Sequence, residues 1–237
     1  MGENYVITID GPAGSGKSTA ARGLARRLGI RYFNSGALYR AITWLGLSAG
    51  IDLDDADALL ARLGRTVIST REKDAQERVL VAGRDVTDEL FQNRITREVW
   101  HVADAAPIRR EIGRLAHRLN AGRSFVAEGR DQGTEVFPEA DVKIYLDARP
   151  EVRSERRRAE LELRGEHIAP EEMLRQVIER DTRDKSRPAG RLRMAPDAIR
   201  VDNSDFTPEQ TLERLLDLVR GRLAAKLNDP ADDRDTR

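Results

Sequence analysis

Nine consecutive residues near the start of the chain, Gly11, Pro12, Ala13, Gly14, Ser15, Gly16, Lys17, Ser18 and Thr19, have the types and spacing to grip phosphate. Gly11, Gly14 and Gly16 let the backbone wrap close to a ligand and turn its N–H groups inward. Lys17 brings a point charge to terminal phosphates, Ser18 a hydroxyl for Mg2+, and Thr19 a further phosphate contact. A helix starting at this place adds its partial positive charge. The segment fits G-x-x-x-x-G-K-[ST], which reads as a cradle for a nucleoside triphosphate. Such a loop does not say what receives the phosphate.

Three other groups have the makings of an acceptor site. Ser35 and Arg40, in "NSGALYR", sit where a strand gives way to a helix, and Arg40 lies on a reachable face about one turn on. The same residues also suit an ordinary serine cap and a solvated arginine. Glu128, Arg130 and Asp131, in "AEGRDQGTEVFP", sit in a loop at a strand end. Two acids and an arginine there suit Mg2+ water coordination, phosphate binding and hydrogen bonding to a sugar or base, or a turn with a local ion pair. The residues "QGTEVFP" also read as a β edge. Finally, Arg180, Asp184 and Arg187 in "ERDTRDKSRP" share a helix face by i, i+4 and i+7, with Arg183 beside them. Arg153, Arg156, Arg157 and Arg158 on the preceding helix either extend this arginine face or pair with glutamates in solvent. Arginines closing over a transferring phosphoryl group stabilise its spreading charge. His101, His117 and His167 are scattered and read as surface or packing residues.

These residues need a scaffold that alternates strand and helix. "YVITI" reads as the strand before the phosphate loop and "KSTAARGLARRLG" as the helix after it, with Leu24 and Leu28 on one face and Gly29 at its end. Further strands are expected at "IRYFN", "SFVA", "VKIYLD" and "AIRVDNS", and helices at "GALYRAITWLGLSAG", "DLDDADALLARLG", "NRITREVWHVAD", "PIRREIGRLAHRLNAG" with Pro107 first, "RPEVRSERRRAELELRG" and "PEEMLRQVIERDTRDKSR". The last helix opens with a capping box, Thr207, Pro208 and Gln210. Between Arg65 and Thr87 the period changes: "TVIST" and "RVLVAG" alternate like antiparallel strands, with "GRD" as a turn. The pattern is that of an α/β sandwich with a parallel sheet and a small β insertion. In such sheets ligands bind beyond the C-terminal strand ends, where the first two groups fall. The tail from 228 to 237 reads as disordered.

Composition narrows the classes. The 237 residues suit one α/β domain with insertions, or two small domains. Charged residues make up 35%, balanced at 41 basic and 41 acidic, which argues against a general nucleic-acid surface. Lysines are few (Lys17, Lys73, Lys143, Lys185 and Lys226), which genome composition or a phosphate-facing arginine set would equally produce. The absence of cysteine excludes thiol catalysis and zinc–thiolate sites. No run approaches about 18 apolar residues, and no signal-peptide pattern or myristoylation serine is read at the N-terminus, where Val6 takes the serine's place. The expectation is a cytoplasmic protein with no membrane partner. A guanine-reading Asn-Lys-x-Asp segment is missing, which argues against a GTPase.

Taken together, "TIDGPAGSGKST", "NSGALYRA", "GRDVTDEL", "EGRDQGTEVFPEADVKIYLDA" and "ERDTRDKSRP" resemble the bacterial cytidylate kinases, from Val6 to about Leu223. The resemblance implies a P-loop NTPase three-layer sandwich with an enlarged monophosphate-binding insertion carrying a small β element, and a helical lid. It implies a core of 1–34, 108–150 and 192–226, a monophosphate-binding region of about 35–107 and a lid of about 151–191. It implies γ-phosphoryl transfer from ATP, with Mg2+, to CMP or dCMP by a monomer. Gly11 to Thr19 would hold ATP; Ser18 and Glu128 would serve the metal. Ser35, Arg40, Arg110, Arg130, Asp131, Asp184 and Arg187 would bind the acceptor. Lys17, Arg130, Arg180, Asp184 and Arg187 would form the catalytic centre.

The chain departs from the family pattern at three places. Glu128 replaces the usual aspartate, Trp100 and His101 stand where a cytosine-reading serine is usual, and Leu90-Phe91 replaces Ile-Arg. Two rival readings stay open at this point: another P-loop small-molecule kinase, acting on UMP, AMP, shikimate or a sugar acid, and a non-catalytic ATP-binding switch.

Overall fold

A computed structural model describes residues 4–73, 76–163 and 165–227. The N-terminal Gly2, which a myristoylation signal would use, and the tail from 228 lie outside the described residues. Five parallel strands form the central sheet: β1 (Val6–Asp10), β2 (Arg31–Asn34), β6 (Phe125–Gly129), β7 (Val142–Asp147) and β8 (Ile199–Asp202), in the order β2-β6-β1-β7-β8. Their apolar runs are those of strands covered on both faces. In register, Asp10 lies opposite Gly129 and Asn34 opposite Glu128. The phosphate loop, the Glu128–Asp131 loop and the Ser35 helix therefore leave three adjacent strands at the same edge.

On one face, α1 (Lys17–Leu28) buries Ala20, Ala21, Leu24 and Ala25 beside Leu215, Leu216 and Val219 of α9 (Pro208–Leu227). The expected capping box is formed: the Thr207 amide donates to Gln210 Oε1 at 2.9 Å and the Gln210 amide to Thr207 Oγ1 at 3.2 Å. The other face is covered by α2 (Ser35–Ser48), α5 (Asn93–Asp104) and α6 (Ala106–Asn120) around a second apolar cluster. This gives the three-layer sandwich. Pro107 is the second residue of α6, not the first, and the expected boundary at 108 falls inside this helix.

The insertion contains α3 (Ala56–Leu63), a three-stranded antiparallel sheet of β3 (Ile68–Lys73), β4 (Gln76–Val81) and β5 (Arg84–Asp85), and the short α4 (Thr87–Leu90). Two details differ from expectation. β3 starts at Ile68 because Thr66, past the end of α3, is tied back to it, its hydroxyl donating to the Arg62 carbonyl at 2.8 Å. Arg84 and Asp85 form a third strand, and the turn is Ala82-Gly83, both at positive φ. The insertion is fastened to the core through Glu77, which pairs with Arg31 at 3.1 Å and accepts from the Asn34 amide at 3.0 Å. α7 (Pro150–Glu162) and α8 (Pro170–Ser186) pack together on a small cluster of Leu161, Met173 and Val177. Among the described residues no helix is long and apolar enough to cross a membrane.

The segment "QGTEV" is one turn of π-helix (Gln132–Val136), not a β edge. Asp10 causes this. Its carboxylate, 5% exposed, accepts from the amides of Gln132 at 2.9 Å and Gly133 at 2.7 Å, and the Asp131 carbonyl takes the amides of Glu135 and Val136. Burial raises the Asp10 carboxyl to about 6, against the pull of those two amides. The unfolded chain would release this proton near about pH 4. The folded state thus holds the proton longer, and the stability that it lends is present below about pH 4 and lost as pH rises towards the folded value, about 3 kcal/mol in all. The Gln132 and Gly133 amide resonances should titrate together with a midpoint near that folded value. Asp10→Asn should abolish the inflection and flatten the stability profile over the same window. Amide shifts that stay constant through weakly acid pH would show that the carboxylate is ionised throughout.

Candidate active site

A cleft of about 1000 Å³ opens beyond the ends of β1, β6 and β2, roofed by α7 and α8. The chain is neutral overall, yet nine basic side chains line this cleft against five acidic ones. That local excess suits a polyanion.

The phosphate loop forms its floor. Ala13, Gly14, Gly16, Lys17, Ser18 and Thr19 face the cleft; Gly11, Pro12 and Ser15 are buried behind it. Gly11 is required by close approach, since a Cβ there would lie 2.0 Å from the Leu146 carbonyl oxygen. Lys17 is 6% exposed and folds onto its own loop, donating to the Pro12 carbonyl at 2.5 Å. Burial, and then the charge of Arg130, push its ammonium well below the ordinary lysine value. The loop is braced by Asn203 at the end of β8, which donates to the Ser15 carbonyl at 2.9 Å and is itself held by Arg156.

Glu128, 3% exposed, accepts from Ser18 Oγ at 2.8 Å and from the Tyr32 phenol. Burial and then the Glu128 charge drive that phenol's pKa far up, so it remains a donor. A hydroxyl and a carboxylate side by side, next to the triphosphate lysine, are hard oxygen donors of the kind Mg2+ takes. The residues present therefore fit the ion, and the longer arm of Glu128 is accommodated by Tyr32.

Across the cleft, Asp184 is buried between two arginines: Arg130 donates to one carboxylate oxygen at 2.8 Å, and Arg187 lies 2.9 Å from the other. Burial opposes ionisation, but Arg130, Arg187 and Arg180 outweigh it and hold the Asp184 carboxyl below its usual range. Arg187 also bonds Asp104 at 2.7 Å, joining the roof to α5. Arg180 is exposed in the cleft; crowding by the surrounding protein, and then by Arg130, lowers its guanidinium to about 10, and it stays charged at neutral pH. Arg183 turns away and covers the face of Trp100, 5.8 Å from the ring centre.

At the third end, Asp131 is bonded by Arg109, which also donates to the Ala103 carbonyl at 2.7 Å and lies 5.2 Å over the Tyr39 ring. Arg110, the arginine expected here, is exposed on the outer face of α6 and does not line the cleft. The periodicity of α6 held the signal: Arg109 shares its face with buried Ile112 and Ala116, whereas Arg110 shares the outer face with Arg114 and Arg118. Ser35 lines the cleft, but Asn34 caps α2, and the Ser35 hydroxyl donates to the Glu128 carbonyl at 2.8 Å. Arg40 lines the cleft and donates to Thr96 Oγ1 at 2.8 Å. The α7 arginines divide. Arg153 is buried behind the phosphate loop, Arg156 and Arg157 face the cleft, and Arg158 pairs with Glu162 outside.

None of the three histidines lines the cleft. His101 stacks on Trp100 and bonds Asp54 at 2.6 Å, His117 bonds the Val136 carbonyl at 2.7 Å, and His167 is exposed. Trp100 and His101 point away from the cavity; from α5, the cleft is lined instead by Asn93, Thr96, Arg97, Val99 and Ala103. Tyr32, Tyr39, Arg109 and Asn203 carry contacts that motif reasoning missed.

Residues 7–221 match a family model described as cytidylate kinase. A cytidylate kinase of Rhodopirellula baltica is 40% identical over 215 residues, covering 91% of this chain and 92% of that one. One from Geobacillus thermodenitrificans is 39% identical over 223 residues, covering 94% of this chain and all of the other. A bifunctional pantoate ligase/cytidylate kinase of a Synechococcus species is 40% identical over 230 residues, of which the match covers 96% of this chain and 47% of that longer one. The chain belongs to the cytidylate kinase family.

Proposed function

We infer that the chain transfers the γ-phosphoryl group of ATP to the 5′-phosphate of CMP or dCMP, giving ADP and CDP or dCDP. The observation that carries this is the convergence, in one basic cleft, of the triphosphate loop with a second anion receptor on the opposite wall, Arg130, Arg180 and Arg187. A switch that only binds ATP has no use for the second receptor.

Gly11 to Thr19 hold the ATP phosphates, and Lys17, released from the Pro12 carbonyl, meets the terminal ones. Bound phosphate would raise the Lys17 ammonium back towards its ordinary value. Ser18 and Glu128 would hold Mg2+, which would supply charge neutralisation on the phosphate oxygens. The acceptor phosphate lies between Ser35, Arg40, Arg130 and Arg187, and Asp184 reaches the ribose. Arg109, in place of Arg110, and Asp131 serve the sugar or base side over the Tyr39 ring. An acceptor phosphate oxygen forms the new P–O bond as the bond to the β-phosphate oxygen breaks. That oxygen is already largely ionised at neutral pH, since the second phosphate pKa is about 6, so no general base is needed. Catalysis is positioning and charge neutralisation by Lys17 and the arginines. Residues 35–107 act as the acceptor-binding region and 151–191 as a lid that excludes water. The protein works as a cytoplasmic monomer.

ADP release should be strong with CMP or dCMP and slight with AMP, GMP or shikimate; turnover chiefly on another acceptor would keep the kinase and reject the cytosine assignment. Lys17→Met should lower kcat by about 100-fold or more with the melting temperature little changed. Arg109→Met should raise the CMP KM at least about tenfold, while Arg110→Met should leave it within about twofold. Equal effects of the two substitutions would refute the assignment of Arg109 to the acceptor.

A further inference from the structure

We propose that Arg153, on α7, is a positioning residue that ties the roof of the cleft to the phosphate loop. It acts through Asp181 and the Ala13 carbonyl, without touching a nucleotide. The proposal rests on the reading of the loop as an ATP site, not on the identity of the acceptor.

The geometry is that of a fastening. Arg153 is 2% exposed and absent from the lining of the cleft. Its whole guanidinium fork is engaged. Nε donates to the Ala148 carbonyl just after β7 at 2.7 Å, and Nη1 donates to the Ala13 carbonyl of the phosphate loop at 3.1 Å. Nη1 and Nη2 donate in parallel to the two Asp181 oxygens, at 3.0 and 2.6 Å. Asp181, 8% exposed, is on α8. One side chain thus joins the sheet, the loop and both roof helices. The loop is also packed hard on α7 here: a Cβ on Gly14, which has φ +77°, would lie 3.0 Å from the Arg153 carbonyl oxygen and 3.1 Å from its Cβ. A shift of α7 is therefore transmitted to the loop.

Asp181 also sets the rotation of α8. It follows Arg180, which opens into the cleft, and precedes by three residues Asp184, which is bound to Arg130. With Asp181 held by Arg153 and Asp184, three residues on and near the same face, held by Arg130, α8 has one angle about its axis. That angle points Arg180 at the space above the loop. A planar fork is required for such multiple bonding; a lysine would keep the charge but reach fewer partners.

The test compares Arg153→Lys with the double variant Arg153→Met/Asp181→Leu. The double variant removes both buried charges at once and so avoids leaving one unpaired. ATP dissociation constant, ATP KM, CMP KM, kcat and melting temperature are measured on each. The expected result is a folded double variant whose ATP Kd and KM rise about tenfold and whose kcat falls about tenfold, with CMP KM within about twofold. Arg153→Lys should fall between it and the native chain. A folded double variant with native ATP affinity and kcat would overturn the proposal and leave the bridge a purely structural one. Should the double variant not fold, Arg153→Lys decides, assayed well below its melting temperature: native ATP Kd overturns the proposal, a raised one supports it. Because ATP Kd needs no acceptor, a native protein that binds ATP but fails to phosphorylate CMP would reject the acceptor reading and leave this test intact.

Discussion

Like charges crowded into one cleft repel, and this cleft must assemble Lys17 and a set of arginines around the place of one polyanion before it arrives. The few carboxylates of the site answer that constraint. Asp184 neutralises Arg130 and Arg187, Asp131 neutralises Arg109, and Asp181 neutralises Arg153. Each pair also fixes a direction, because the guanidinium fork and the carboxylate are both planar. The acids are thus part of the anion receptor. Truncating one would free a cation in the cleft and at the same time loosen where it points.

The parallel sheet makes the arrangement compact. Three loops that leave adjacent strands at one edge bring Lys17, Glu128 and Ser35 together without any long connection. Hydrogen bonds then run between those loops. Ser18 and Tyr32 both bond Glu128, Ser35 bonds the Glu128 carbonyl, and Asp10 folds the next loop into its π turn. Glu128 is the common point. A shorter acid at this position would leave either Ser18 or Tyr32 without its partner.

The phosphate loop, the succession of strands and helices along the chain and the β insertion were legible in the sequence because each is local: a motif, a period, a cap. The arginine face at Arg180 to Arg187 was legible for the same reason, apart from Arg183. What escaped depended on rotation and long-range partners. Arg109 and Arg110 are adjacent, and only the orientation of α6 decides between them. Asp10 and Gln132 are far apart in sequence, so no local pattern shows that an aspartate ends the expected β edge as a π turn. Tyr32 looks like a strand residue until Glu128 is seen beside it. For Arg153 to Arg158, composition suggested one behaviour for the set, whereas the helix assigns one arginine to the interior, two to the cleft and one to solvent.

The same pins bear on how such a cleft closes. The root of α7 is held by Arg153 to the loop and the end of β7, and one turn on by Arg156 to Asn203, which itself holds the Ser15 carbonyl. A rigid swing of α7 from its root would break these bonds and drag the phosphate loop with it, undoing the cradle that closure is meant to complete. Beyond them, among the described residues, the far ends of α7 and α8 meet on the small cluster of Leu161, Met173 and Val177 with Ile168. Movement is least costly where the fewest buried contacts must be broken. On the proposed reading of 151–191 as a lid, closure pivots past Arg156 and brings Arg157 down on a loop that does not move, while Arg180, beside the pinned Asp181, stays in place.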